Sequence, residues 1–160
     1  MVLRKVHPNE YRRVWELFKE VIDQKVYFAY DHTTTRAQIE ASWINDKNLI
    51  YGAEMEGKIA GAYIIKPNYP GHGAHVANAA YMVDSRSRGY GIGRKLAAHS
   101  IEMARAAGYR AMQYNMVVST NENAVHLWKS HGFEIIGTIP EGFLHHELGY
   151  VDAYIMYRKL

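Results

Sequence analysis

The chain has no cysteine among its 160 residues. That excludes disulfides, zinc–thiolate sites and a thiol nucleophile, and it fits a reducing compartment. Proline is scarce, with 4 copies, so few positions interrupt a helix or strand. Net charge is small: 19 Lys and Arg against 16 Asp and Glu leave +3. This surplus suits an anionic small ligand and is too weak and dispersed for a nucleic-acid surface. No apolar run approaches the ~20 residues of a membrane span, and the opening MVLRKVHPNEY lacks an apolar segment of signal-peptide length. The expectation is a soluble, cytoplasmic protein with neither nucleic-acid nor membrane partners. A chain of this length, 48% hydrophobic and 22% charged, is expected to form one domain, 1–160, around one core.

Tyrosine, by contrast, is common, with 13 copies, and histidine has 9. Most such tyrosines are expected at the edge of a core with the hydroxyl wet. Val2 to Val6 reads as a strand, and Pro8 opens a helix in which Val14, Leu17, Phe18, Val21 and Ile22 recur at helical spacing. The aromatic-rich stretch Lys25–His32 breaks it. Thr33 to Thr35 offer caps for a second helix carrying Ile39, Trp43 and Ile44. Leu49–Met55 and Lys58–Ile65 read as strands joined by a tight Glu56-Gly57 turn. The irregular loop Lys66–Gly73 leads to a strand over His75–Val83. A helix to about Ala107 ends at Gly108, and a strand follows over Arg110–Val118. Asn121 caps a helix that Gly132 ends. Two strands, Phe133–Ile139 and Val151–Tyr157, flank a loop over Pro140–Gly149. The order is strand, two helices, three strands, helix, strand, helix, two strands. It predicts a mixed α/β sheet of about seven strands.

Between the strand over His75–Val83 and the third helix lies SRSRGYGIGRKL, residues 85–96. Its glycines follow G-x-G-x-G, which is neither the dinucleotide fingerprint G-x-G-x-x-G nor the Walker pattern. The physics still favours an anion. Glycine lets backbone N–H groups approach closely, the helix start is electropositive, and Arg86, Arg88, Arg94 and Lys95 add charge. The alternative is an ordinary strand–helix turn with surface arginines.

Arg88-x-x-Gly91-x-Gly93 after a strand ending at Val83 resembles the pyrophosphate loop of the GNAT N-acetyltransferase family. The helix Asn121-x-x-Ala124-x-x-Leu127-Trp128-x-x-x-Gly132-Phe133 resembles the family's second motif, with Trp128 where tyrosine is usual. The resemblance implies the GNAT fold: a mixed, mostly antiparallel sheet of about seven strands with splayed central strands, flanked by about four helices. It also implies acetyl-CoA as co-substrate and no metal. Tyr81, Met82, Val83, Arg88, Gly89, Tyr90, Gly91, Ile92, Gly93, Arg94, Asn121, Ala124 and Trp128 are then the expected coenzyme-binding residues. Homodimers are common in the family, and no pattern here marks an interface.

The strand before the glycine loop has no carboxylate until Asp84, so the glutamate many relatives use as base is missing. An indole is no proton donor to a thiolate, so the acid role of the usual tyrosine is empty at Trp128. Asn78 and Asn115 stand out because asparagine is disfavoured in strands. They are expected either to satisfy each other as buried amides or to act in the site, orienting the amine or a water. Residues 66–79, with Tyr114-Asn115, look like fungal L-azetidine-2-carboxylate acetyltransferases and their bacterial relatives. That resemblance implies Asn78 and Asn115 as catalytic and acceptor-binding residues and a small amine, such as a proline-like amino acid, as acceptor. Tyr27, Tyr30 and His75 are further expected acceptor-site residues. His72 and His75 lack a third ligand at a persuasive spacing, so no metal site is expected. His145-His146-Glu147 is expected to be a solvated rim. The functional alternatives are acetylation of a protein amine and a non-catalytic acyl-CoA-binding sensor.

Overall fold

The computed structural model describes residues Met1–Leu160. Seven strands form one sheet in the order β1-β2-β3-β4-β5-β7-β6. They are β1 (Val2–Lys5), β2 (Leu49–Met55), β3 (Lys58–Pro67), β4 (Val76–Val83), β5 (Ala111–Val118), β6 (Glu134–His145) and β7 (Gly149–Lys159). The helices are α1 (Tyr11–Gln24), α2 (Arg36–Ser42), α3 (Ile92–Ala106) and α4 (Glu122–Ser130). This is the expected element order. Only β4 and β5 run parallel; every other neighbouring pair is antiparallel.

The sheet separates two cores. On one face α1 and α2 bury Val14, Leu17, Phe18, Ile22 and Ile39 against Ile50, Ile64, Ala80 and Met82. On the other, α3 buries Ile92, Leu96 and Ile101 against Tyr63, Tyr114, Trp128 and Phe133. The period of two along β4 sends Ala80 and Met82 to the first face and Ala77 to the second. Gly61 in β3 permits the close seating of α3. A Cβ there would stand 2.7 Å from Ile92 Cγ2 and 3.2 Å from Leu96 Cδ1.

Most strand ends lie within one or two residues of the sequence expectation: β1 stops at Lys5, β3 runs on to Pro67, and β5 and β6 start at Ala111 and Glu134. Pro8 opens a short 3-10 turn, Pro8–Glu10, and the α-helix proper begins at Tyr11. β4 starts at Val76, one residue late. The larger correction is at the C-terminus, where the expected loop Pro140–Gly149 is mostly hairpin. β6 continues through Pro140 to His145, and β7 already begins at Gly149. Proline is tolerated there because β6 is an edge strand, and the register shift between Ile139 and Phe143, with Glu141 at φ 50°, absorbs the irregularity. No helix is long and apolar enough to cross a membrane.

Candidate active site

β4 and β5 pair at only two positions, Val76 with Ala111 and Ala77 with Met112. Beyond them the strands diverge, while β4 stays paired to β3 up to Val83. On the other side β5 follows β7, with a register shift between Tyr114 and Val117. Backbone groups of Ala79 to Val83 that would face β5 therefore have no ladder partner, and unpaired backbone calls for a ligand or water.

A cavity of about 480 Å³ occupies this opening. Its walls include Ala79, Tyr81 and Val83 of β4, Tyr114 and Val117 of β5, and Asn121, Ala124, Leu127 and Trp128 of α4. Tyr27, Phe28 and Gln24 close it from the end of α1, and Arg88 and Gly93 stand at the glycine loop. Most of the lining is apolar, with a few convergent polar groups, as in small-molecule sites generally.

The glycine loop is built for backbone display. Gly89 and Gly91 hold φ of 87° and 72°, and Gly91 is the N-cap of α3. Lys95 N–H is the first to close the helix, onto Gly91 O at 3.1 Å. The N–H groups of Ile92, Gly93 and Arg94 therefore have no partner within the helix, at its positive end. Asp84, 4% exposed, fixes the approach to this loop. Its carboxylate accepts from Arg13 Nη2 at 2.6 Å, from Arg86 Nη2 at 2.8 Å and from Arg86 N–H at 2.9 Å. Chiefly through the Arg86 hydrogen bonds, the Asp84 carboxyl is held far below the usual carboxylate range. Arg86, counted from the sequence as mobile charge, is thus neutralised locally, and the exposed cations beside the loop are Arg88, Arg94 and Lys95.

The inner wall carries a chain of hydroxyls whose members are far apart along the sequence. Ser100 Oγ donates to Ala97 O at 2.7 Å. Its one proton spent, Ser100 accepts from Tyr81 Oη at 2.7 Å, and Tyr81 in turn accepts from Tyr114 Oη at 2.8 Å. Trp128 packs on both rings, at 4.7 Å from Tyr81 and 4.5 Å from Tyr114, and Phe133 stacks on Tyr114 at 4.5 Å. Burial pushes the Tyr81 phenol up to about 12 and the Tyr114 phenol well above its ordinary value. Both are therefore protonated across the physiological range.

The remaining sequence candidates divide by position. Tyr27, Tyr81, Val83, Arg88, Gly93, Asn121, Ala124 and Trp128 line the cavity. Asn121 also caps α4, its Oδ1 accepting from Ala124 N–H at 3.3 Å. Met82 and Ile92 turn their side chains into the cores, and Tyr90 is 62% exposed at the rim. Gly89, Gly91 and Arg94 are exposed on the loop and first turn of α3. Tyr30 lies outside the cavity: it packs on Phe18 and accepts a 2.8 Å bond from Trp43 Nε1. His75 is exposed before β4, at the end where β4 and β5 still pair. Asn78 and Asn115 do not bond each other. Asn78 is half-buried and accepts from Ala79 N–H at 2.8 Å; Asn115 is exposed, donates to Asn68 at 2.7 Å and accepts from Gln113 at 3.1 Å. Neither lines the cavity wall, and the mutually satisfied buried pair is not what forms. Sequence reasoning missed Gln24, Phe28, Asn123 and above all the Tyr114 hydroxyl; tyrosine recurring on adjacent strands at 63, 81 and 114 was the available signal. No group of three or more His, Asp or Glu side chains is arranged to hold a metal ion.

The model of the acetyltransferase (GNAT) family matches residues 11–133. The structure of a GCN5-related N-acetyltransferase from Kribbella flavida is 37% identical, with a TM-score of 0.92 over 99% of this chain and 97% of that one. N-acetyltransferase aca1 of Schizosaccharomyces pombe is 40% identical over 103 residues, 64% of this chain and 49% of its own length. The chain thus spans about half the length of that curated relative. A phosphinothricin acetyltransferase from Sinorhizobium meliloti, in complex with AcCoA, has a TM-score of 0.87 over 99% of this chain and 88% of its own; at 19% identity the likeness is one of fold.

Proposed function

This chain belongs to the GNAT acetyltransferase family, and from that premise we propose that it is a one-domain acetyl-CoA-dependent N-acetyltransferase acting on a small amine. The observation that carries this reading is the opening between β4 and β5, with the exposed amides of the glycine loop at its mouth. The pyrophosphate of the donor would rest on the N–H groups of Gly91 to Arg94. Its amide-bearing arm would pair with the free backbone of β4 up to Val83, beyond the Ala79 N–H that Asn78 already holds, and one N–H there would serve the carbonyl oxygen as negative charge develops. With no cysteine to carry the acetyl group, transfer runs directly from donor to amine in a ternary complex.

The small acceptor is supported by the cavity. Its volume of about 480 Å³ is shared with the donor arm, and Tyr27, Phe28 and Gln24 close its end. Asn78 and Asn115 lie on the opposite face of the sheet from Tyr114, the face α1 and α2 cover, and we assign them to orienting the amine or the water that takes its proton. The sequence likeness around residues 66–79 favours a proline-like or other small amino acid. The test is thiol release from acetyl-CoA with a panel of primary and secondary amino acids. Amine-dependent release is expected. Binding of acetyl-CoA with no release from any amine contradicts the enzymatic reading.

A further inference from the structure

Loss of the thiolate needs a proton, and Trp128 offers no acid. The cavity wall holds one on the strand opposite. We propose that Tyr114 is the acid that protonates the leaving thiolate, with Tyr81 and Ser100 holding its hydroxyl in place. This rests on the N-acetyltransferase reading and adds to it a residue with a defined step.

Tyr114 stands at the end of the hydroxyl chain. Ser100 donates to Ala97 O and accepts from Tyr81, and Tyr81 Oη is flanked by Ser100 at 2.7 Å and Tyr114 at 2.8 Å. Tyr114 Oη is the terminus, with Tyr81 as its one hydrogen-bond partner, and Tyr114 lines the cavity. Its O–H can turn from Tyr81 to a sulfur while Tyr81, Ser100 and Ala97 keep their own bonds. The amine nitrogen forms the new C–N bond and gives its proton to water. The C–S bond breaks, its electron pair goes to sulfur, and the Tyr114 proton follows. Tyr81 O–H swings from Ser100 to the phenolate until solvent returns the proton. The apolar wall that raises both phenols also disfavours a bare thiolate, so donor and acceptor shift in the same sense.

The experiment compares Tyr114→Phe with wild type. The ring and its stack on Phe133 remain, so only the hydroxyl is lost. Turnover is expected to fall about a hundredfold, the low end for general acid catalysis because a thiolate leaves tolerably unaided. Coenzyme A affinity and melting temperature change little. Trp128→Tyr in the Tyr114→Phe background puts a phenol on the same wall, 4.5 Å from the lost one by ring centroid, and is expected to recover at least tenfold. The same Trp128→Tyr exchange in the wild-type background is expected to gain less than twofold, since Tyr114 already supplies the proton there; an equal gain in both backgrounds overturns the proposal. Tyr114→Phe within twofold of wild type, or a double variant no better than the single, overturns the proposal. The wild-type control separates the two readings. If it releases no thiol with any amine, the enzymatic reading has failed. If it turns over and Tyr114→Phe does too, only Tyr114 has lost its role.

Discussion

The two faces of the sheet solve different problems. The core under α1 and α2 is closed with aliphatic and phenyl groups, Val14, Leu17, Phe18, Ile39 and Ile50 among them, with the Trp43–Tyr30 bond at its edge and Asn78 and Asn115 on the same face outside its packing. The face under α3 and α4 contains tyrosines and a tryptophan whose polar tips bond to one another around a cavity. The first face contributes stability through close packing. The second gives up packing where β4 and β5 part, and keeps hydroxyls and backbone amides available for chemistry. Substitutions should therefore split into those that unfold and those that only disable.

The largest effect on stability is expected from Phe18→Ala. Phe18 is fully buried and sits among Phe28, Tyr30 and Trp43, so truncation should cost about 4 kcal/mol in chemical denaturation. A cost below ~1 kcal/mol would mean that this face is not the tight one. Next is Asp84→Asn, which strands Arg13 and loosens the approach to the glycine loop; about 3 kcal/mol is expected, since Arg86 is 81% exposed and screened. The Asp84 carboxyl is depressed on folding. Its contribution is therefore complete above the ordinary carboxylate range, near pH 4, and drains as pH falls below it. Asp84→Asn should flatten that acid limb, and an unchanged limb in urea titrations between pH 2 and 5 would refute the assignment.

Gly91→Ala sharpens the other side. An added Cβ meets nothing within 4 Å, so the penalty is conformational only: about 1 kcal/mol at φ 72°, together with weaker coenzyme A binding. Smallest in stability is Asn115→Ala, on the α1 and α2 face but outside its packed core. The side chain is exposed, so the fold should change by less than ~0.5 kcal/mol while turnover falls about tenfold at unchanged coenzyme affinity. Full turnover would remove Asn115 from the acceptor side.

The first face was readable in the sequence because its signals are local. Val14, Leu17, Phe18, Val21 and Ile22 repeat at helical spacing, and Glu56-Gly57 marks a hairpin. The glycine loop was readable for the same reason. The Pro140–Gly149 stretch was misread because proline and glycines usually stop a strand, and only the edge position of β6 excuses them. The Tyr114–Tyr81–Ser100 chain was illegible for a different reason. Its members are 33 and 19 residues apart, and nothing in either neighbourhood says that β5 diverges from β4 far enough for two hydroxyls to meet across the gap. The likeness at Trp128 marked a missing acid. Only the folded arrangement shows another phenol beside it.

The proposed donor site is the unpaired edge of β4. Amide hydrogen exchange on the intact protein, with and without coenzyme A, addresses it most directly. If the donor binds there, new protection is expected over Ala79–Val83 and Gly91–Arg94, with the α1 amides around Phe18 unchanged. Coenzyme A binding that leaves Ala79–Val83 exchanging as before would contradict it.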